Sequence, residues 1–121
     1  MQRCTRCSAP TTNQKIREYR YCDDCLRIFK EIEENEVVVM QRKPRAAGTL
    51  PDTFYEIRDN ITGNTDQAKT QVQGLATGWM YMEKHDCRGL FRYQDTGSHW
   101  LVSEYLDAHP KIAADVKNTR K

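Results

Sequence analysis

The sequence predicts a small α+β protein: a metal-built module at the N-terminus, then a compact unit of short strands, a hairpin and two helices. Three observations carry this reading. Four cysteines fall in two Cys-x2-Cys pairs, Cys4/Cys7 and Cys22/Cys25, the ligand spacing of one structural Cys4 zinc site. Apolar residues then recur at helical spacing in Leu26, Phe29 and Ile32, the stripe of an amphipathic helix. Through the second half, β-branched and aromatic runs are bounded by Gly, Asn and Asp, as strands are. Hydrophobic residues make up 38% of the chain and charged residues 30%. That is thin for a self-sufficient core, so the metal is expected to contribute folding free energy.

In residues 1–25 each two-residue gap wraps the backbone around one sulfur pair, with amides inside the turn aimed at the thiolates. Two such knuckles complete a tetrahedron. Ser8-Ala9-Pro10 leaves the first turn where glycine is the more permissive choice. Thr11 to Gln14 reads as a turn, and Arg17-Glu18-Tyr19-Arg20-Tyr21 as a short strand entering the second pair. The helix begins at Asp23, since the carboxylates of Asp23 and Asp24 suit the positive end of a helix dipole. That same helix start favours the Cys22 and Cys25 thiolates. Four sulfurs leave no coordination position for water, so the zinc is expected to be structural rather than catalytic. Iron, in a rubredoxin-like centre, is the runner-up metal.

The pattern Cys4-x2-Cys7-x14-Cys22-x2-Cys25-Leu26-Arg27-Ile28-Phe29 resembles small treble-clef or zinc-ribbon-like Cys4 zinc-finger proteins of archaeal or viral type, over roughly residues 1–35. The resemblance implies zinc binding and contact with nucleic acid or another protein. Ser8 stands where such knuckles often carry glycine.

Val37-Val38-Val39-Met40 is a β-branched run that reads as a strand leaving the helix. Arg42-Lys43-Pro44-Arg45-Ala46-Ala47-Gly48 reads as a basic linker. Phe54 to Arg58 forms a strand, ended by the polar turn Asp59 to Asn64. Thr65 or Asp66 caps a helix through Ala68, Val72, Leu75 and Ala76, with Gly78 as its stop. Trp79 to Glu83 and Gly89 to Tyr93 read as the arms of a hairpin joined through His85-Asp86-Cys87-Arg88. Ser98 caps a last helix through Leu101, Val102, Tyr105 and Leu106, which Pro110 ends or follows closely. The chain thus divides into a zinc-finger module (1–41), a basic linker (42–52), a small α+β unit (53–110) and a basic tail (111–121) expected to fray.

For function, the net charge of +2 is less informative than its distribution. Residues 1–30 hold seven Lys or Arg against three Asp or Glu, but four thiolates on one divalent ion remove two positive charges. The remaining field is milder than that of a dedicated nucleic-acid binder. Arg17, Tyr19, Arg20 and Tyr21 interleave charge with aromatic rings, which suits phosphate contact and base stacking; Arg42, Lys43 and Arg45 add charges that suit phosphates. Trp79, Tyr81, Phe91 and Trp100 belong to the densest aromatic cluster, mostly core, with any exposed part a candidate protein contact.

His85 and Cys87, with His99 or His109, form too weak a pattern for a second metal site, and no oxyanion element surrounds Cys87. The sequence therefore predicts a non-enzymatic zinc-binding interaction module contacting nucleic acid. The alternative is a structural component of a larger assembly, a virion or ribonucleoprotein particle, in which the finger and the aromatic hairpin dock proteins. No small-molecule substrate is evident. Thiolates at metal spacing suit a reducing compartment such as a cell or host cytoplasm. No apolar run approaches a membrane span, and Met1-Gln2-Arg3 leading straight to Cys4 predicts no cleaved leader.

Overall fold

A computed structural model describes residues 2–42, 54–93 and 96–119. Strands β1 (Gln2–Arg3) and β2 (Pro10–Thr11) pair antiparallel around the first cysteine pair, and helix α1 spans Asp23–Asn35. A five-stranded sheet follows from β3 (Val37–Arg42), β4 (Phe54–Asp59), β5 (Asn64–Ala68), β6 (Gly89–Tyr93) and β7 (Ser98–Leu101). Helix α2 (Gln71–His85) connects β5 to β6, and α3 (Val102–Ala108) and α4 (Pro110–Thr119) close the described chain. The architecture is α+β, with a cysteine-rich N-terminal cluster, as the sequence predicts.

Strand order is β5-β4-β3-β6-β7, with β3 antiparallel to β4 and parallel to β6. The β-branched run Val37–Val39 is therefore the central strand, fully shielded from water, which is why it carries no polar alternation. Side chains alternate across this sheet. On β6, Leu90 joins the core that holds Phe29 and Ile32 of α1, while Phe91 joins the core that holds Leu75 of α2, Tyr105 of α3 and Val116 of α4. Burying Phe29 and Ile32 contributes about 2 kcal/mol each. The boundary expected at residues 41–42 falls within β3, whose partners β4 and β6 come from the second half.

Several sequence expectations are corrected. The stretch 64–68 is strand β5 rather than a helix start, and α2 begins after Thr70, whose hydroxyl oxygen accepts from the Gln73 amide at 3.2 Å. Gly78 does not stop α2. It lies mid-helix, where an added Cβ would meet Val39 Cγ2 at 2.5 Å. The run Trp79 to Glu83 is thus helical, and Asp86, in left-handed backbone at φ 49°, ends the helix while the Cys87 amide donates to Met82 O. The hairpin is β6–β7 instead. Ser98 lies in β7 rather than at a helix cap, and Pro110 follows α3 closely, as expected, but opens a further helix, α4, whose first turn has no use for its missing N–H. The stretch expected to fray is therefore helical to Thr119, with Val116 buried.

The β4–β5 turn is built on Asp59, fully buried, which accepts from the Ile61 amide (3.1 Å) and the Thr62 hydroxyl (2.6 Å) and meets the His85 ring at 2.8 Å. Burial opposes its charge, but these partners outweigh it and hold the carboxyl below its ordinary value. His85 is thereby used to tie the end of α2 to β4.

Candidate metal centre

The first cysteine pair sits in the turn between β1 and β2. The Cys4 amide donates to Ala9 O (2.8 Å) and the Ser8 amide to Cys4 O (2.9 Å), closing the loop around the sulfurs. Closing it puts Ser8 in left-handed backbone at φ 65°. The second pair is delivered by α1: Cys22 is its N-cap residue and Cys25 lies in its first turn. The Thr5 amide donates to Arg20 O at 2.6 Å and joins the two halves.

These elements bring four Sγ atoms within 4.8 Å of one another, with Cys4–Cys25 at 3.7 Å and Cys7–Cys22 at 3.6 Å. A tetrahedron of sulfurs about 2.3 Å from a zinc ion has edges of about 3.8 Å, so the donor set fits a four-coordinate metal. Cys4, Cys22 and Cys25 are buried and Cys7 is exposed. Burial works against a Cys4 thiolate, but the amides of Cys7, Cys22 and Arg6 outweigh it and bring its pKa to about 6. Burial pushes Cys25 up to about 12, against the pull of Arg6. A packed cluster of this kind needs a cation before all four sulfurs can be thiolates together.

Arg6 was not singled out by the sequence. Its Nη1 donates to Cys25 Sγ at 3.3 Å, its Nε donates to Glu104 Oε1 of α3 at 3.0 Å, and its guanidinium lies 5.8 Å from the Phe29 ring centroid. A basic residue inside a Cys-x2-Cys turn is a readable signal; Glu104, 98 positions away, is not.

Arg17 to Tyr21 form no regular strand. The loop is pinned by a bridge between Ile16 and Tyr19 with Arg17 left-handed at φ 57°. Tyr21 is 2% exposed, packs edge-on against Phe29 at 5.0 Å, and its hydroxyl accepts from the His99 amide at 2.8 Å. Its ring belongs to the core around Phe29. Tyr19 is half-buried; Arg20 is half-buried and donates to Asn13 O at 2.6 Å; Arg17 is exposed. Arg42 ends β3 and pairs with Glu56 at 2.8 Å, so it is a strand residue rather than linker. Lys43 and Arg45, with the rest of the expected linker, lie outside the described residues.

Among the aromatic contact candidates, Phe91 is fully buried and is core. Trp79 and Tyr81 lie on α2, half-buried, with the Trp79 indole on Glu83 and the Tyr81 hydroxyl on Asp66. Trp100 is half-buried, edge-on to Tyr105 at 5.5 Å. His85 is on Asp59, His99 stacks on Phe29, and His109 stacks on Tyr105, so they occupy three separate environments. The cysteine quartet is the single metal-competent group found among the described residues. No helix among the described residues is long and apolar enough to cross a membrane.

Comparison with protein-family models, with curated proteins and with solved structures gave no match. The four cysteines form a cluster with the geometry of a Cys4 metal site, and this cluster is the functional feature that the chain itself establishes.

Proposed function

We propose that the protein is a non-enzymatic module that holds one structural zinc ion and contacts nucleic acid through its knuckle loop. The observation that carries the zinc reading is the convergence of four sulfurs within 4.8 Å from a turn and a helix start. Such a shell is closed, which suits a metal that staples a fold in the manner of a treble clef. What supports the nucleic-acid reading is the loop between the two cysteine pairs. There Lys15 and Arg17 are exposed beside the half-buried Tyr19 and Arg20, charge and ring together as in backbone-tracking binders.

Two measurements test this. Purified protein is expected to carry one equivalent of zinc by elemental analysis, and Cys22→Ser to lose it; full retention by Cys22→Ser overturns the site. Fluorescence anisotropy with labelled oligonucleotides is expected to show binding that weakens steeply with salt. Three phosphate contacts on a single strand give a log–log slope of about −2, hence about a 20-fold loss from about 50 to 200 mM. A second reading, docking within a protein assembly, is favoured by Met80, a large apolar side chain left 58% exposed on α2. Absence of oligonucleotide binding together with self-association that Met80→Lys abolishes decides for that reading.

A further inference from the structure

We propose that the cleft between the knuckle loop and β7 holds one base of a single-stranded nucleic acid. The inference deepens the nucleic-acid reading above and rests on it. The cleft has a volume of about 160 Å3 and is lined by Arg6 and Tyr19 from the cysteine-rich region and by His99, Trp100 and Glu104 from β7 and α3. A cavity of about 150 Å3 takes up benzene, so this space admits one six-membered ring. A base paired inside a duplex cannot enter it without leaving its stack.

The walls suit such a ring. Tyr19 comes from the knuckle loop and Trp100 from β7, and each ring packs on a neighbour. Trp100 is held edge-on by Tyr105 at 5.5 Å, and Tyr19 lies nearly parallel to the buried Tyr21, at 15° and 6.4 Å. The lining also carries a donor and an acceptor, Arg6 and Glu104, for the edge of a base. Arg6 and Glu104, paired at 3.0 Å, keep 23% and 44% of their side chains exposed. A second hollow of about 260 Å3, lined by Tyr93, Thr96 and His109, shares Tyr19 and Trp100 with the first. It offers a path for the neighbouring nucleotide. Charge complementarity favours a polyanion: Arg6 and Glu104 offset each other inside the cleft, but the loop that carries Tyr19 holds Lys15, Arg17 and Arg20 against one carboxylate, Glu18, so a strand whose bases are unpaired meets both ring and positive charge.

The test uses zinc-loaded, full-length protein with a single-stranded DNA oligonucleotide, its RNA counterpart and a duplex of equal length. Expected are preference for either single strand over the duplex and quenching of tryptophan fluorescence that disappears in Trp100→Phe. Tyr19→Leu is expected to weaken single-strand binding about tenfold, whereas Tyr19→Phe retains it. Zinc stoichiometry measured on both Tyr19 variants reports whether the fold is intact. Salt-dependent binding without Trp100 quenching, with Tyr19→Leu within twofold of the parent, or with the duplex preferred, overturns the cleft and leaves the broader reading standing. No binding to any of the three overturns both.

Discussion

Arg6 joins the sulfur cluster to the far end of the chain through two bonds of one guanidinium, to Cys25 Sγ at 3.3 Å and Glu104 Oε1 at 3.0 Å. Four thiolates on a divalent ion leave two negative charges, and a fixed cation at one sulfur offsets part of that. Loss of such an outer partner typically costs 10–100-fold in metal affinity, so Arg6→Ala is expected to weaken zinc binding at least about tenfold in competition with a chromophoric chelator. Arg6→Lys is expected to fall between, because one ammonium cannot span both acceptors as the fork does. Unchanged affinity in Arg6→Ala would show that the residue serves the α3 junction alone. Ser8 offers a second residue-scale test. Its φ of 65° costs a non-glycine residue about 1–2 kcal/mol, partly offset because glycine loses more entropy on folding. Ser8→Gly is therefore expected to raise zinc-bound stability by about 0.5–1 kcal/mol, read as a higher urea midpoint. The turn was legible here: Ser8 stands at the exit of a knuckle that runs on into a turn and not a helix, the position where glycine is the more permissive choice.

At the scale of elements, legibility depended on whether a residue's signal was local. Helix α1 announced itself through Asp23, Asp24 and the Phe29/Ile32 stripe, all of which act within the helix. Helix α2 did not, because its two glycines are there for the sheet. Gly74 lies against Tyr55, with room for a Cβ only at 3.0 Å, and Gly78 against Val39 at 2.5 Å. Read along the chain, a glycine after an apolar run signals a stop. Read across the packing, Gly74 and Gly78, one turn apart, let the helix approach the sheet closely. The same reasoning gives a prediction whose sign separates the two readings. If Gly78 were a helix end, Gly78→Ala would be neutral or a loss confined to the cap. At a packed mid-helix position, alanine gains about 1 kcal/mol of propensity and loses about 1–3 kcal/mol to overpacking on a stiff valine. The expected net effect is destabilisation of about 1–2 kcal/mol in a denaturant titration, and a smaller loss when the same change is made in a Val39→Ala background. A loss as large in that background would place the strain elsewhere.

For the whole molecule, the question is whether the metal supports only the knuckle or the entire fold. Nothing near residues 37–42 names the partners of β3, since its pairing with β6 joins positions about fifty residues apart and such contacts leave no local mark on sequence. For that reason the cysteine-rich region read as a separate module. The packing gives it shared parts instead. Phe29 and Ile32 bury against Leu90 of β6, with Leu101 of β7 beside them, and Tyr21 meets His99 of β7 through two backbone contacts at 2.8 and 3.4 Å. Arg88 closes the other end of α1, with its amide and side chain both on Glu36 at 2.8 and 2.7 Å. A metal bound at the start of α1 therefore stabilises a helix whose apolar face is also one face of the sheet. Chelation of the ion is expected to lower the melting temperature of the whole chain. Far-UV circular dichroism and the fluorescence of Trp79 and Trp100 should shift together, because a ligand of the folded state alone stabilises every part that unfolds with its site. Hydrogen exchange offers the contrary outcome. If chelation exposes amides in residues 2–35 while those of β3, β6 and α2 keep their protection, the sulfur cluster supports an appendage, and the contacts of α1 with Leu90 and Leu101 do not couple the two.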